Sequence, residues 1–349
     1  MIIINYGKDP VKTTYDALVA SDIKKYLKPG MSVAIKPNLV NLTPPSKGAT
    51  THPEVVEGLI KFIKDFGIKD IQIMESSAVG HNTKKAFKVC GYEELSKNYG
   101  VPLVDLKNAP NRTLSHNGLD IKIAEAALDV DFLINVPVLK AHCQTRLTCC
   151  IKNLKGCIPE SEMKRFHSLG LHKPIAALAS LLPVHYCVVD GVCGDLSFEE
   201  GGTPVEANRI IVGRDPVQVD TYCAELIGYK RTDVGYLVHL PEAGPPNVVE
   251  LNTGHKPENQ QKSARLVDRI TRSGVGNIKE DAACSVCYAA LVYALHRSGG
   301  SSKKICIGQG FKGKKLDGAV GIGSCTSGFG TSVPGCPPKA LDIMEVLGR

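Results

Sequence analysis

Cys284 and Cys287 stand three residues apart in "ACSVCYAALVYALHR", just before a run with helical character. Cys325 and Cys336 follow in the glycine-rich "GSCTSGFGTSVPGCPP". Iron–sulfur clusters are held by four thiolates. Glycine lets the backbone approach such a group closely. We expect a [4Fe–4S] cluster on Cys284, Cys287, Cys325 and Cys336, with Cys306 of "KKICIGQGFKG" as the reserve ligand. A structural zinc would use the same four thiolates, and cysteine spacing alone does not separate the two metals. A thioredoxin-like redox pair is disfavoured, because no thioredoxin-like βαβ context surrounds the CxxC.

The second concentration of chemistry is "DVDFLINVPVLKAHCQTRLTCCIKNLKGCIPESEMKRFH". An apolar strand delivers Lys140, His142 and Cys143, and then Cys149, Cys150, Lys152, Asn153, Lys155 and Cys157 follow. Histidine can move protons near neutral pH. A pocketed lysine can hold a phosphate or form a covalent adduct. A basic loop that binds an anion, with cysteines packed beneath, fits the same residues. Cys143, Cys149, Cys150 and Cys157 could hold a second cluster or another soft metal. Neighbouring residues of a strand point to opposite faces, so one of Cys149 and Cys150 is expected in the core. Asn38, after Lys36 and Pro37, and Asp190 in "VVDGVCGD" are strand-end polar residues that could face a ligand. Asp215, before Pro216, reads as a helix N-cap.

These residues need a scaffold. "MSVAIKPNLV", "IKDIQIMESS", "VDFLINVPVL", "HYCVVDGV" and "NRIIVGRDP" are apolar strands that end in polar residues. "HPEVVEGLIKFIKDFG" and "PVQVDTYCAELIGY" are helices with proline near the start. This alternation predicts an α/β fold, a mostly parallel sheet with helices on both faces. Ligands of such sheets bind beyond the carboxyl ends of the strands. Residues 241–280 turn polar and proline-rich and read as a linker or excursion. The expected organisation is an α/β domain over 1–275, with two lobes around a cleft as one arrangement, and a small cysteine-rich, cluster-binding appendage over 276–349.

With 349 residues, 43% of them hydrophobic, the chain can bury a large core. The net charge of +7 is spread along the sequence, aromatics are 5% and there is no Trp. That argues against nucleic acid and leaves anionic small molecules or an acidic protein as partners. No apolar run approaches a membrane span, and the N-terminus lacks the features of a signal peptide. Thirteen cysteines without a secretion signal suit metal or catalysis in a reducing cytoplasm, and this loading suits an anaerobe.

"VAIKPNLV", "THPEVVEGLIKFIKDFG", "INVPVLKAH", "IKNLKGCIP" and "GRDPVQVD" together look like the family catalogued as domain of unknown function 362, over roughly residues 30–230. That resemblance implies frequent iron–sulfur motifs and an undefined activity. "GSCTSGFGTSVPGCPPKALDIMEVL" resembles the cluster-binding end of hydrogenase small subunits and the related complex I subunit. An apolar strand, a His and a later Lys before a "G-x-P" turn are similar to the lactate racemase family. That similarity implies Lys152 as a cofactor-bearing lysine, His142 and His81 as catalytic histidines, and His167 or His172 as a metal-binding one. Cys149 and Cys150 stand where the racemase has glycines, and the racemase lacks the cysteine-rich C-terminus.

The leading expectation is a cytoplasmic iron–sulfur oxidoreductase. In it a cluster feeds a cleft with His142, Lys152 and His81 as catalytic residues. Lys140, Asn153, Lys155, Asn38 and Asp190 would bind the cofactor or substrate, a small, anionic molecule. An electron-transfer protein is the expected partner. A racemase or epimerase with a structural cluster, and a non-enzymatic electron carrier or metal-delivery protein, are the alternatives.

Overall fold

The computed structural model describes residues 1–197, 199, 201–257 and 277–348. The apolar runs form strands Ile2–Tyr6 (β1), Val33–Pro37 (β2), Ile71–Glu75 (β3), Leu103–Asp105 (β4) and Phe132–Val136 (β7). Between the last two lies a hairpin of Asn111–His116 (β5) and Leu119–Ala124 (β6). A short hairpin, Lys140–His142 (β8) and Arg146–Thr148 (β9), follows β7. The long pair Tyr186–Asp195 (β10) and Pro204–Gly213 (β11) and the short Val248–Leu251 (β12) come next.

Eight of these strands make one sheet in the order β12-β1-β11-β10-β7-β2-β3-β4. Only β11 runs against the others. The expected α/β architecture is therefore present. Alternate residues of each strand face opposite sides. Ala34, Leu133 and Val189 join one buried cluster, and Val33, Ile35, Ile134 and Val188 join the other. Helix Pro53–Asp65 packs on the second face through Val55, Val56, Leu59 and Ile63. Asp215 caps helix Pro216–Leu226, its side chain accepting from the Val217 and Gln218 amides.

The polar stretch after residue 240 is not wholly a linker. Its "VVEL" pairs parallel with β1 and widens the sheet. Two β-branched residues and a free sheet edge outweigh the surrounding prolines. The expected boundary at 275/276 lies outside the described residues. Beyond it, Ile278–Glu280 (β13), Ile305–Ile307 (β14), Val320–Ile322 (β15) and Thr331–Val333 (β16) form a second, fully parallel sheet in sequence order. Helix Ser285–Ser298 connects its first two strands. The cysteine-rich segment thus has its own core, with Leu291, Leu295, Ile305, Ile307 and Val333 buried together.

Where β2 and β3 end, Lys36 and Glu75 form an ion pair at 2.9 Å, with side chains 0% and 3% exposed. Burial pushes the Glu75 carboxyl up, while Lys36 and the Leu39 and Ser76 amides oppose that shift. Removing one partner of a buried pair strands the other charge, at a cost of about 3–5 kcal/mol. Lys36→Met is therefore expected to lose stability on that scale in urea denaturation. The Lys36→Met/Glu75→Leu double variant should recover most of the loss. A double variant no more stable than the single would show that packing, not the charge pair, is what matters there.

Candidate functional site

The turn after β9 is anchored at both ends. At its start, the buried Asp220 carboxylate accepts from the amides of Cys150 (2.7 Å) and Ile151 (3.1 Å). At its end, Asn153 is woven into the strand ends. Its Oδ1 accepts from Lys36 Nζ (3.1 Å) and Asn38 Nδ2 (2.9 Å), and its Nδ2 donates to Asn135 Oδ1 (2.7 Å). Gly156 presses on the ion pair so closely that a Cβ there would lie 1.8 Å from Glu75 Oε1. These contacts explain "IKPN" and "IKNLKG" as two halves of one buried network.

Held this way, Lys152 and Lys155 reach a cleft, partly open to solvent, at the carboxyl ends of the main sheet. His81, Lys140, His142, His167, Asn38 and Asn153 share its walls, and so does Cys284 from the C-terminal sheet. The cleft thus gathers the three expected catalytic residues and four of the five expected binding residues. Asp190 is not among them. It accepts from His52 Nδ1 (2.8 Å) and from the His52 and Val192 amides, joining β10 to the start of a helix. Burial alone would lower the His52 pKa, but Asp190 overcomes it and raises it.

His142 is buried, and its Nδ1 accepts from the Gln144 (3.1 Å) and Thr145 (3.3 Å) amides. The proton of the neutral ring therefore sits on Nε2, 3.4 Å from Glu199 Oε1. Burial, reinforced by Lys152, Lys155 and Lys140, pushes the His142 pKa well down. His142 is thus a neutral donor at pH 7. His81 is shifted down too, by burial and then Lys107. Burial lowers Lys152 to about 8 and Lys155 to about 7. Lys155 Nζ lies 3.3 Å from His167 Nε2. Glu199 also accepts from the Cys143 amide and thiol, both at 3.1 Å. Sequence reasoning missed Glu199, because "LSFEEGG" carries no local pattern.

Cleft-facing oxygens are left without partners. Asn38 Oδ1, Ser76 Oγ and Thr148 Oγ1 are buried, unpaired among the described residues, and belong to side chains that line the cleft. They are available to a ligand's donors.

Cys284, Cys287, Cys325 and Cys336 all follow the carboxyl ends of strands β13, β15 and β16. A Cβ at Gly323 would sit 3.9 Å from Cys287 Sγ, so the loops bearing these thiols converge. Gly335, at φ +122, has no room for a side chain against Pro338. Cys284 is pushed up to about 11, first by burial and then by Cys336 and Cys325. Gln309 Nε2 points at its sulfur from 3.8 Å. Cys306 lies within β14 and packs with Phe311, Ala319 and Phe329, away from the converging loops.

Cys143, Cys149, Cys150 and Cys157 do not gather. Cys143 packs at the C-terminal sheet, and the other three lie in the core of the main one. Cys149 and Cys150 sit at a strand-to-helix junction rather than on a strand, so both are buried, with sulfurs 3.9 Å apart. Two groups of three ligand atoms lie within 4.8 Å among the described residues. In Cys149–Cys150–Asp220 the carboxylate is already taken by two amides and the Tyr236 hydroxyl. In His142–Cys143–Glu199 the backbone amides on Nδ1 leave Nε2 protonated and a poor metal ligand.

The pattern described as domain of unknown function (DUF362) matches residues 33–225, which hold the strand ends and both lysines. The chain belongs to this family. A thylakoid-associated protein of Synechocystis sp. is 29% identical over 199 residues, 57% of this chain. The match spans 60% of that relative's length. The lactate racemase apoprotein from Thermoanaerobacterium thermosaccharolyticum is similar at 12% identity and a TM-score of 0.44, over 94% of this chain and 70% of that one. A protein from Thermotoga maritima is similar at 13% identity and a TM-score of 0.43, over 86% and 71%. The family match ends before the C-terminal cysteines, and none of these matches carries the likeness to hydrogenase small subunits. No helix among the described residues is long and apolar enough to cross a membrane.

Lys155 gives a pH test. Its folded pKa of about 7 lies below the 10.5 of free lysine. The penalty for its charge is full below about pH 7 and fades as pH rises toward 10.5. Lys155→Met should therefore stabilise the protein more at pH 6 than at pH 9, by on the order of 2 kcal/mol. Denaturation midpoints at the two pH values check this, and equal gains would mean an unshifted amine.

Proposed function

We propose that this protein is an iron–sulfur oxidoreductase acting on a small anionic molecule. In this reading Cys284, Cys287, Cys325 and Cys336 carry a [4Fe–4S] cluster beside the cleft. One observation carries it: Cys284 lines the same cleft as His142, Lys152 and Lys155. The two units are also joined at that point. Gln144 Nε2 donates to Glu280 Oε1 (2.9 Å) and to the Ala283 carbonyl (3.2 Å), while Ser285 Oγ donates to Gln144 Oε1 (2.7 Å).

The donor set fits such a cluster. Four thiols converge on glycine-rich loops, with an amide donor at one sulfur. When bound, the cluster would supply electrons one at a time.

The chain's own residues do the rest. Lys152 and Lys155 hold the substrate's negative charge, strongly so because the site is desolvated. Asn38 Oδ1 accepts from the substrate, and the Ser76 and Thr148 hydroxyls complete its polar contacts. The Gln144 and Thr145 amides on Nδ1 keep the His142 ring aimed, and its Nε2–H turns from Glu199 to donate a hydrogen bond or a proton at the substrate atom that gains charge. Cys284, Ser285 and Val286, between β13 and β14, add a wall to the cleft.

A second reading rests on His81 and His142 lining one cleft: one imidazole, neutral, would take a proton from a carbon while the other, as the imidazolium, returns one to the opposite face.

Metal and sulfide content of anaerobically purified protein tests the first reading. About four iron and four sulfide per chain are expected, and Cys284→Ser and Cys336→Ser should each lower both. Zinc without sulfide sinks the redox reading. Nickel without iron would favour the proton-exchange one.

A further inference from the structure

The four cysteines have one open side. Cys284 is buried, Cys287 and Cys325 are partly so, and Cys336 is exposed. Shortly after Cys336 in the chain, at the start of helix Ala340–Leu347, Leu341 is 75% exposed, the most of any large apolar side chain described. A lone exposed leucine means little, but this one follows Cys336 closely in the chain.

The same side is basic. Lys312, Lys314 and Lys315 are exposed on the loop after β14. That loop lies against the Cys325 loop: Gly330 N donates to the Leu316 carbonyl at 3.3 Å, and a Cβ at Gly328 would meet the Lys314 carbonyl at 2.6 Å. Lys164 is close by, since its carbonyl accepts from Gln309 Nε2 (3.0 Å), the amide that also points at Cys284 Sγ. Lys339 is exposed just past Cys336. Nearby acids answer part of this charge, Asp281 at Lys314 (3.8 Å) and Glu160 at Lys164 (2.8 Å). Lys312, Lys315 and Lys339 have no ion-pair partner among the described residues.

We propose that this face docks a small acidic electron-carrier protein, with Leu341 as its apolar centre and Lys312, Lys315 and Lys339 as its charged rim. The proposal rests on the cluster reading above and names its partner. One electron leaves the reduced carrier and enters the cluster. The carrier is oxidised by one, the cluster is reduced by one, and no atom is transferred. Complementary charge steers such encounters and makes them salt-dependent.

The test uses the full chain, purified anaerobically, with an acidic [2Fe–2S] ferredoxin as the probe. Calorimetry with the oxidised ferredoxin should show binding that weakens about tenfold between low and moderate salt. Lys312→Glu/Lys315→Glu should weaken it by a similar factor at low salt, and Leu341→Ala severalfold. Stopped-flow reduction by the reduced ferredoxin should slow in step, while reduction by dithionite stays within about twofold across the variants. Carrier binding or reduction that ignores salt and charge reversal, in a protein whose cluster dithionite reduces, overturns the docking face alone. Charge-dependent binding to anionic lipid vesicles, with carrier kinetics unchanged, assigns the face to a membrane and overturns it too. A protein without iron and sulfide overturns both readings.

Discussion

An ammonium and a carboxylate taken fully out of water set the geometry of this cleft. Each buried ion costs several kcal/mol unless its bonding capacity is met. Lys36 has three N–H donors, and Glu75, the Pro37 carbonyl and Asn153 Oδ1 take them. Glu75 receives Lys36 and two backbone amides. Asn153 is the only member of this set from the turn after β9. Satisfying the pair therefore pulls that turn onto the strand ends, and Gly156 is the residue small enough to let it arrive. The positions of Lys152 and Lys155 follow from that requirement.

The lysines near the cleft divide by how their charge is met. Lys140 donates to the Ala49 (2.6 Å) and Glu199 (2.5 Å) carbonyls and so ties the β8–β9 hairpin to the loop that bears Glu199. Lys152 and Lys155 have no carboxylate at bonding distance among the described residues, and both titrate far below free lysine. A folded chain gains nothing in stability from two such amines side by side. Perturbed groups that face a cleft belong with function more often than with scaffolding. The unpaired Asn38, Ser76 and Thr148 oxygens sharpen that argument, because buried polar atoms without partners are costly in the absence of a ligand.

Much of this was legible in the sequence, and the limits have physical causes. Strands read from apolar runs, and the residues just beyond them, Asn38, Lys140 and His142, do line the cleft. That follows from a rule about parallel sheets rather than from any motif. Asp190 satisfies the same rule, yet it is taken by His52, a partner more than a hundred residues away that no local pattern reveals. As strand neighbours, Cys149 and Cys150 would face opposite sides. The Cys150 and Ile151 amides, donated to Asp220, start a helix instead, so the alternation argument does not apply. The fold of the C-terminal segment was hidden by strands of three residues, too short to show periodicity.

Those short strands obey the same rule as the long ones. In a parallel sheet every strand ends on the same side, so loops from distant stretches of sequence meet there. The main sheet brings Asn38, Ser76 and the lysine turn to that side. The small sheet brings four cysteines to its own. Gln144 joins the two, because its amide bonds both Glu280 and Ser285 across the seam. Cys284 follows β13 directly, so this seam sets it on the cleft wall. Cys336 ends the last strand connection, at the far side of the small sheet's loops, and there it reaches solvent. A group held by these four thiols would have one face toward the cleft and one toward the outside. That two-sidedness arises from a mostly parallel sheet and a fully parallel one meeting at their carboxyl ends.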